Sequence, residues 1–368
     1  MTDAVFDTSD EEEQGQEPLD VQGAERKLVT QPYDFSVDQL VTDVKKSKIL
    51  LIEVPYQREY VWDDTKASRF IESLLLNVPV PVCYFAENED GTWEVIDGLQ
   101  RAQSIVRFMR GDLTLRGLSV LSELNGSRFF ELPLRDQRRI ETRTIRFVVI
   151  TDESHPDIKF DVFERLNTGA VKLLPQELRN CIYRGSFNDQ LSVLASDTGF
   201  RSAIGRPRDS RMRDQELILR FFALYENLPG YKPPISQYLN EYMRAHRNSE
   251  RPATSVGVFK DTMASIASIF GGDAFNGFHE GKVSSSLNRA MFDAVSLTFA
   301  FADRPVAESL AVDVRSAHEE LLQDPEFQPL IGRATANRSR MHGRVQRYSE
   351  KLMNAGVRVN LPALPPGE

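Results

Sequence analysis

The sequence predicts an α+β architecture, an N-terminal α/β domain followed by a mainly α-helical C-terminal domain. Three observations predict it. Between residues 31 and 185, short strand-like apolar runs take turns with segments of helical periodicity. From Ser186 onward strand-like alternation nearly vanishes and long helical periodicities take over. The length of 368 residues, at about 150 residues per domain, makes two domains. The expected division is an acidic leader over 1–30, the α/β domain over 31–185, the helical domain over 186–355 and a loose tail over 356–368.

Taken in order, ordered structure should begin near Ser36, where Ser36-Val37-Asp38-Gln39 has capping-box spacing and leads into a short amphipathic helix ending near Lys48. A short strand through Ile52 and Val54 stops at Pro55. Asp63-Asp64 can cap a second helix whose Phe70, Ile71, Leu74 and Leu75 share a face, and Pro79 and Pro81 end it. Val82–Ala86 and Trp93–Ile96 read as strands joined across Glu89-Asp90-Gly91, a hairpin signal. Asp97-Gly98 follows directly, and Ile105, Phe108 and Met109 then give helical spacing. A mixed segment runs to Pro133, a charged helix covers Arg135–Glu141, and Phe147–Ile150 is a strand. The next helix ends at Asn167-Thr168-Gly169, and Pro175 opens another in its first turn, where a missing N–H costs nothing. The helical half shows its periodicity through Leu217–Tyr225, Val258–Phe270 and Leu287–Phe301. Leu361–Glu368, with Pro362, Pro365 and Pro366, should be a loose end.

Composition narrows the class. Hydrophobic residues make up 41% of the chain, enough for a sizeable core. The two cysteines, Cys83 and Cys181, stand far apart in apolar stretches and suggest neither a disulfide framework nor a thiolate metal site. No apolar run is as long as a membrane span, and Met1 is followed by acidic residues, so a cytoplasmic protein away from membranes is expected. The net charge of −9 is unevenly placed, because residues 1–25 hold nine acidic residues and no Lys or Arg. The remainder has 45 acidic against 45 basic residues, so local basic clusters can still bind polyanions. The leader is too poor in apolar residues to fold alone. It reads either as a solvated, disordered segment or as a DNA-mimicking tail that competes for a basic groove.

Three polar segments carry candidate chemistry. Asp97-Gly98 hands a strand over to a helix, whose first N–H groups and positive dipole end suit an anion. Gly98 removes a side chain that would keep a phosphate off the backbone, and Arg101 can add a bidentate charged contact. Asp97 is the candidate metal ligand, for Mg²⁺, and Asp97 and Gln100 are the candidate catalytic residues, holding metal or orienting a water. The alternative is that Asp97 merely caps the helix while Arg101 pairs with a carboxylate. Tyr56-Gln57-Arg58-Glu59-Tyr60-Val61-Trp62 crowds aromatics and an arginine into a loop, where a base could stack and Arg58 meet a phosphate; Tyr60 and Trp62 could equally close the end of the core. Arg165-Leu166-Asn167-Thr168-Gly169 and Gln176-Glu177-Leu178-Arg179-Asn180 either complete a pocket or form a plain helix stop.

Four ordered series carry a family resemblance: Val54-Pro55-Tyr56-Gln57-Arg58, Val95-Ile96-Asp97-Gly98-Leu99-Gln100-Arg101, Phe163 to Gly169, and Glu177-Leu178-Arg179-Asn180. Together, from about Asp34 to Phe187, they resemble the N-terminal domain of GmrSD-type restriction proteins, a part of the ParB and sulfiredoxin-like superfold. The resemblance implies a nucleoside-triphosphate pocket that works in defence against foreign, often modified, DNA. Asp97, Gly98, Gln100 and Arg101 match the family's Asp-Gly-Gln-Gln-Arg motif, and Tyr56, Gln57 and Arg58 match its Tyr-Gln-Arg motif. Nucleotide-binding residues are thus expected at Tyr56, Gln57, Arg58, Gly98, Arg101, Arg165 and Asn167. Leu99 departs from the motif's first Gln, which sets hydrolysis apart from binding.

Family members that cut DNA carry a His-rich HNH nuclease in a second domain. Here the five histidines, His155, His246, His279, His318 and His342, are scattered without metal-ligand spacing. A nuclease in this chain is therefore not expected, and a separate nuclease subunit is the implied partner. Two basic segments of the helical half are the DNA candidates: Arg206, Arg208 and Arg211 in the first, Arg338, Arg340 and Arg344 in the second. The same arginines also suit a non-enzymatic DNA-binding or regulatory module. Homo-oligomerisation is left open.

Overall fold

The computed structural model describes residues 27–50, 62–88, 90–166, 174–209, 211–279, 282–332 and 337–365. The chain is of the α+β class and divides into two compact units, one ending at Ile182 and the other beginning at Tyr183.

The N-terminal unit is built on β1 (Thr30–Ser36), α1 (Val37–Lys45), β2 (Ile49–Leu50), α2 (Asp64–Leu75), β3 (Cys83–Glu87), β4 (Trp93–Asp97), α3 (Leu99–Met109), α4 (Leu134–Glu141), β5 (Thr144–Ile150), α5 (Pro156–Leu166) and α6 (Pro175–Ile182). Its sheet has the order β1-β5-β3-β4-β2. β5 lies antiparallel to β1 and parallel to β3, while β4 lies antiparallel to β3 and parallel to β2. Alternation along the strands gives each face its own core. Phe85, Val95, Phe147 and Val149 pack with Leu40 of α1, Ile71 and Leu74 of α2, and Ile105 and Phe108 of α3. Ala86, Ile96 and Ile150 face the other way, onto Phe160 and Phe163 of α5 and Leu178 of α6.

Local signals set the helix starts. Ser36 caps α1 by accepting from Gln39 N–H (3.1 Å), and Asp63 caps α2 by accepting from Lys66 N–H (2.7 Å). The long connection between α3 and α4 is tied to α2. The Glu72 carboxylate accepts from the N–H groups of Val120 and Leu121 at 2.8 Å each and of Ser119 at 3.4 Å, and Asp64 pairs with Arg107 (2.9 Å) and Arg116 (2.7 Å).

The C-terminal unit comprises α7 (Ser186–Leu194), α8 (Thr198–Ile204), α9 (Arg213–Asn227), α10 (Ile235–His246), α11 (Ala253–Phe270), β6 (Asn276–His279), β7 (Lys282–Leu287), α12 (Arg289–Phe301), α13 (Arg304–Ser309), α14 (Ala311–Leu322), α15 (Gln328–Ile331) and α16 (Arg338–Asn354). α12 is buried from Arg289 to Phe299 and packs against α9, α11 and α16. Its charged residues are matched rather than solvated. Glu216 and Arg220, one turn apart on α9, face Arg289 and Asp293, one turn apart on α12. Arg289 Nε reaches Glu216 at 3.2 Å, and Arg220 holds Asp293 bidentately at 3.0 and 2.5 Å.

Three expectations need correction. Residues ahead of Ser36 are part of the fold, because Lys27 O accepts from His155 N–H and β1 pairs along its length with β5. Thr30–Ser36 lacks the apolar alternation of a strand because it is an edge strand that holds Pro32, with little of it buried. The helical half contains an antiparallel hairpin, β6–β7, whose Lys-Val-Ser-Ser-Ser-Leu strand lacks apolar alternation. The tail starts later than residue 356, since Val357 is buried, Val359 bridges Ala302, and Asn360 N–H bonds Phe301 O. The strand expected through Ile52 and Val54 lies outside the described residues.

Candidate functional site

The turn expected to carry the chemistry joins β4 to α3. A bulge in the β3–β4 ladder makes Ile96 an extra residue, so Asp97 pairs with Tyr84 and the next residue, Gly98, falls opposite Cys83. Gly98 has φ +102°, where a side chain is strained. A Cβ there would lie 2.5 Å from Cys83 Sγ and 2.9 Å from its Cβ. The glycine is therefore required by its own fold, independently of any ligand. Burial pushes the Cys83 thiol up to about 11, against the opposing effect of nearby Arg101, which makes it an inert packing group.

No side chain caps α3, and the first N–H to bond within the helix is that of Ala102, to Gly98 O (2.9 Å). The N–H groups before it point out of the helix end. Arg101, one turn in, turns back. Its Nη2 meets Asp97 Oδ2 at 2.6 Å, while Nη1 donates to the carbonyls of Pro81 and Val82. The pair is only partly shielded, with side chains 14% (Arg101) and 31% (Asp97) exposed. Of the two sequence readings, the carboxylate pairing of Arg101 is thus realised, with Asp97 itself as the partner.

Gln100 links the turn to a second element. Its Oε1 accepts from Trp62 N–H at 3.1 Å. Trp62 lies edge-on to Phe70 at 5.8 Å with Lys66 Nζ 5.1 Å above its ring. Leu50, paired with Glu94, and Trp62, bonded to Gln100, are the described residues that bracket the Tyr56-Gln57-Arg58 segment, and both lie against the β4–α3 strand and turn. Tyr56, Gln57, Arg58 and Tyr60 themselves lie outside the described residues, as does Asn167. Arg165, at the end of α5, is exposed and pairs with Asp161 at 3.0 Å. Arg179 of α6, by contrast, is buried over the Phe160 ring.

Leu99 packs against the core formed by α1, α2 and α3 and presents no polar group at the turn. Residues 37–184 match the family model described as GmrSD restriction endonuclease, N-terminal domain. This segment is a GmrSD-type N-terminal domain. No curated protein and no solved structure matches the chain. The GmrSD-type domain ends two residues beyond the last residue of the N-terminal unit.

The fit of this turn to a nucleotide and its metal can be judged from the donors it offers. Among the described residues no three His, Cys, Asp or Glu gather as a metal site, and at the turn Asp97 is the one carboxylate. That suits Mg²⁺, which takes one or two carboxylates together with substrate phosphates and water. An uncapped helix start beside a glycine and an arginine suits the phosphates.

Beyond the domain, the expected DNA contacts are mostly committed to the fold. Arg344 must be withdrawn. It is 0% exposed and its Nη2 holds Asp293 at 2.6 Å, alongside Arg220. Arg206 is half-buried, bonded to Ile204 O (3.0 Å) and Asn276 Oδ1 (2.8 Å), and its pKa is pushed down by burial. Arg338, also half-buried, donates to Pro229 O at 3.0 Å, and the backbone of Arg340 is capped by Asn337. Arg211 is half-buried too, its N–H held by Asp209. Arg208 is exposed and lies along α7, bonded to Ser192 and Ser196. No helix among the described residues is long and apolar enough to cross a membrane.

Proposed function

We propose that the GmrSD-type domain binds a nucleoside triphosphate with Mg²⁺ at the β4–α3 turn, and that the chain acts in the cytoplasm in restriction-type defence against foreign DNA. The observation that carries the reading is the Asp97–Arg101 pair set across an uncapped helix start. A carboxylate and a guanidinium already matched to each other can exchange partners, Arg101 turning to phosphate and Asp97 to the cation, with little net loss of pairing. Asp97 would hold Mg²⁺, the first N–H groups of α3 would receive phosphate oxygens, and Arg101 would neutralise charge. Gln100, bonded to Trp62 N–H, would orient a water or the ligand at the same turn. Held there by Asp97, Mg²⁺ would supply Lewis-acid stabilisation of the negative charge on the phosphates. On this reading the mixed sheet with helices on both faces is a ParB/sulfiredoxin-like variant.

Leu99 favours a second reading for turnover. With an apolar residue packed into the core where the family motif has a polar one, the domain serves as a binding module and a separate nuclease subunit cuts DNA.

The test is binding and Mg²⁺-dependent hydrolysis of the four triphosphates by the full chain, with and without plain and modified DNA. Asp97→Ala and Arg101→Ala are expected to abolish triphosphate binding while native tryptophan emission persists. Unchanged affinity in both folded variants refutes the site. Binding without turnover in the wild type selects the binding module.

A further inference from the structure

α4 packs on α1 and α2 through Ile140, which is 0% exposed, and turns Gln137 inward to donate to Leu132 O at 2.7 Å. Arg135, Arg138 and Arg139 occupy the opposite side at i, i+3 and i+4, and all three are exposed. Among the described residues none of the three side chains has an ion-pair or hydrogen-bond partner. Other arginines of the same unit are matched: Arg107 and Arg116 to Asp64, Arg146 to Asp34, Arg165 to Asp161. The two carboxylates of α4, Asp136 and Glu141, are half-buried at the margins of the stripe. Like charges at these spacings oppose each other along a helix, and a polyanion bound to this face would relieve that repulsion.

We propose that this face of α4 binds the phosphate backbone of duplex DNA. The inference rests on the reading of the chain as DNA-directed, but not on nucleotide binding. Side chains at i, i+3 and i+4 start from Cβ atoms about 5–6 Å apart, close to the separation of successive phosphates on one strand. Three such arginines on phosphates position a protein on a duplex without reading its sequence. The arginines suggested by the sequence in the helical half are largely held by the fold, whereas Arg135, Arg138 and Arg139 of α4 are exposed. Phe130 (68% exposed) and Leu134 (71% exposed) adjoin the stripe. They would suit an acidic protein partner, and the experiment separates the two.

The full chain is titrated into a fluorescently labelled duplex of mixed sequence, two helical turns long, and anisotropy is followed at stepped salt. The variant Arg135→Gln/Arg138→Gln/Arg139→Gln is expected to raise Kd at least tenfold and to reduce the slope of log K against log salt by about 2–3, near 0.9 for each phosphate that is no longer neutralised. Wild-type tryptophan emission and far-UV circular dichroism show that the variant is folded. A variant with wild-type affinity and slope overturns the assignment, as does a wild-type chain with no salt-dependent duplex binding; that second result leaves the face to an acidic protein. A wild type that binds duplex through α4 but no triphosphate refutes the nucleotide reading alone.

Discussion

Replacing Gly98 by alanine should damage the N-terminal unit for two separable reasons. The backbone at φ +102° lies where an L residue costs about 1–2 kcal/mol. The new methyl would also lie 2.5 Å from Sγ of Cys83, which is buried at the start of β3. Forcing an extra carbon into a packed site costs about 1–3 kcal/mol. The sum is about 2–5 kcal/mol. Gly91 supplies the control, because it has φ +78° with nothing within 4 Å of its would-be Cβ, so Gly91→Ala carries the backbone part alone. Urea denaturation followed by tryptophan emission is the assay. Both tryptophans of the chain, Trp62 and Trp93, belong to this unit and report on it selectively. Gly98→Ala should exceed Gly91→Ala by about 1–3 kcal/mol. Cys83→Ala, which removes the nearest atom, should recover part of that difference in a double-mutant cycle. Equal losses at the two glycines, with no coupling to Cys83, would show that the close approach to Cys83 does not constrain the turn.

Further outcomes follow from buried charge and hydrogen bonds. Asp293→Ala strands Arg220 and Arg344 without their carboxylate and should destabilise the C-terminal unit by about 3–5 kcal/mol, read by far-UV circular dichroism in urea. His318 is buried, bonded to Tyr348 Oη at 2.8 Å, and its pKa is pushed down by burial to about 4. The unfolded chain, with an ordinary His value of about 6.5, then binds the extra proton between those limits, so stability falls as pH drops from about 6.5 to 4, by about 3 kcal/mol. His318→Gln should flatten that part of the pH profile, and an unchanged profile would exclude His318 as its source. Glu72 feels burial, which raises its pKa, but the N–H groups of Leu121, Val120 and Ser119 outweigh it and hold the carboxyl below its usual value. Its contribution is present above the ordinary Glu range and is lost as pH falls through the lowered value. Glu72→Gln should cost about 1–3 kcal/mol at neutral pH in the tryptophan-monitored unfolding, and no loss would mean the connection before α4 is held by other groups.

Much of this protein was legible as local pattern. The caps at Ser36 and Asp63, the β3–β4 hairpin, the Asp97-Gly98 turn and the long helices α9, α11 and α12 all lie where apolar periodicity and turn residues placed them, because these depend on neighbours within one or two turns of chain. The edge strand β1 and the hairpin β6–β7 did not announce themselves, since a strand with little buried side needs no apolar alternation and is held by ladder partners far away in sequence.

The candidate site divides in the same way. Residue types and order pointed to Asp97, Gly98, Gln100 and Arg101. That Arg101 closes on Asp97, that Gln100 receives Trp62, and that Gly98 must clear Cys83 became visible only with the sheet assembled. Arginine stripes show the limit most clearly. By sequence Arg344 and Arg138 are alike, each in a basic helical run. Packing gives Arg344 a carboxylate 51 residues away and buries it, and leaves Arg138 exposed beside two others. A helix carries its periodicity within itself, whereas whether a charge meets a counter-charge or water is decided by which other element folds against it.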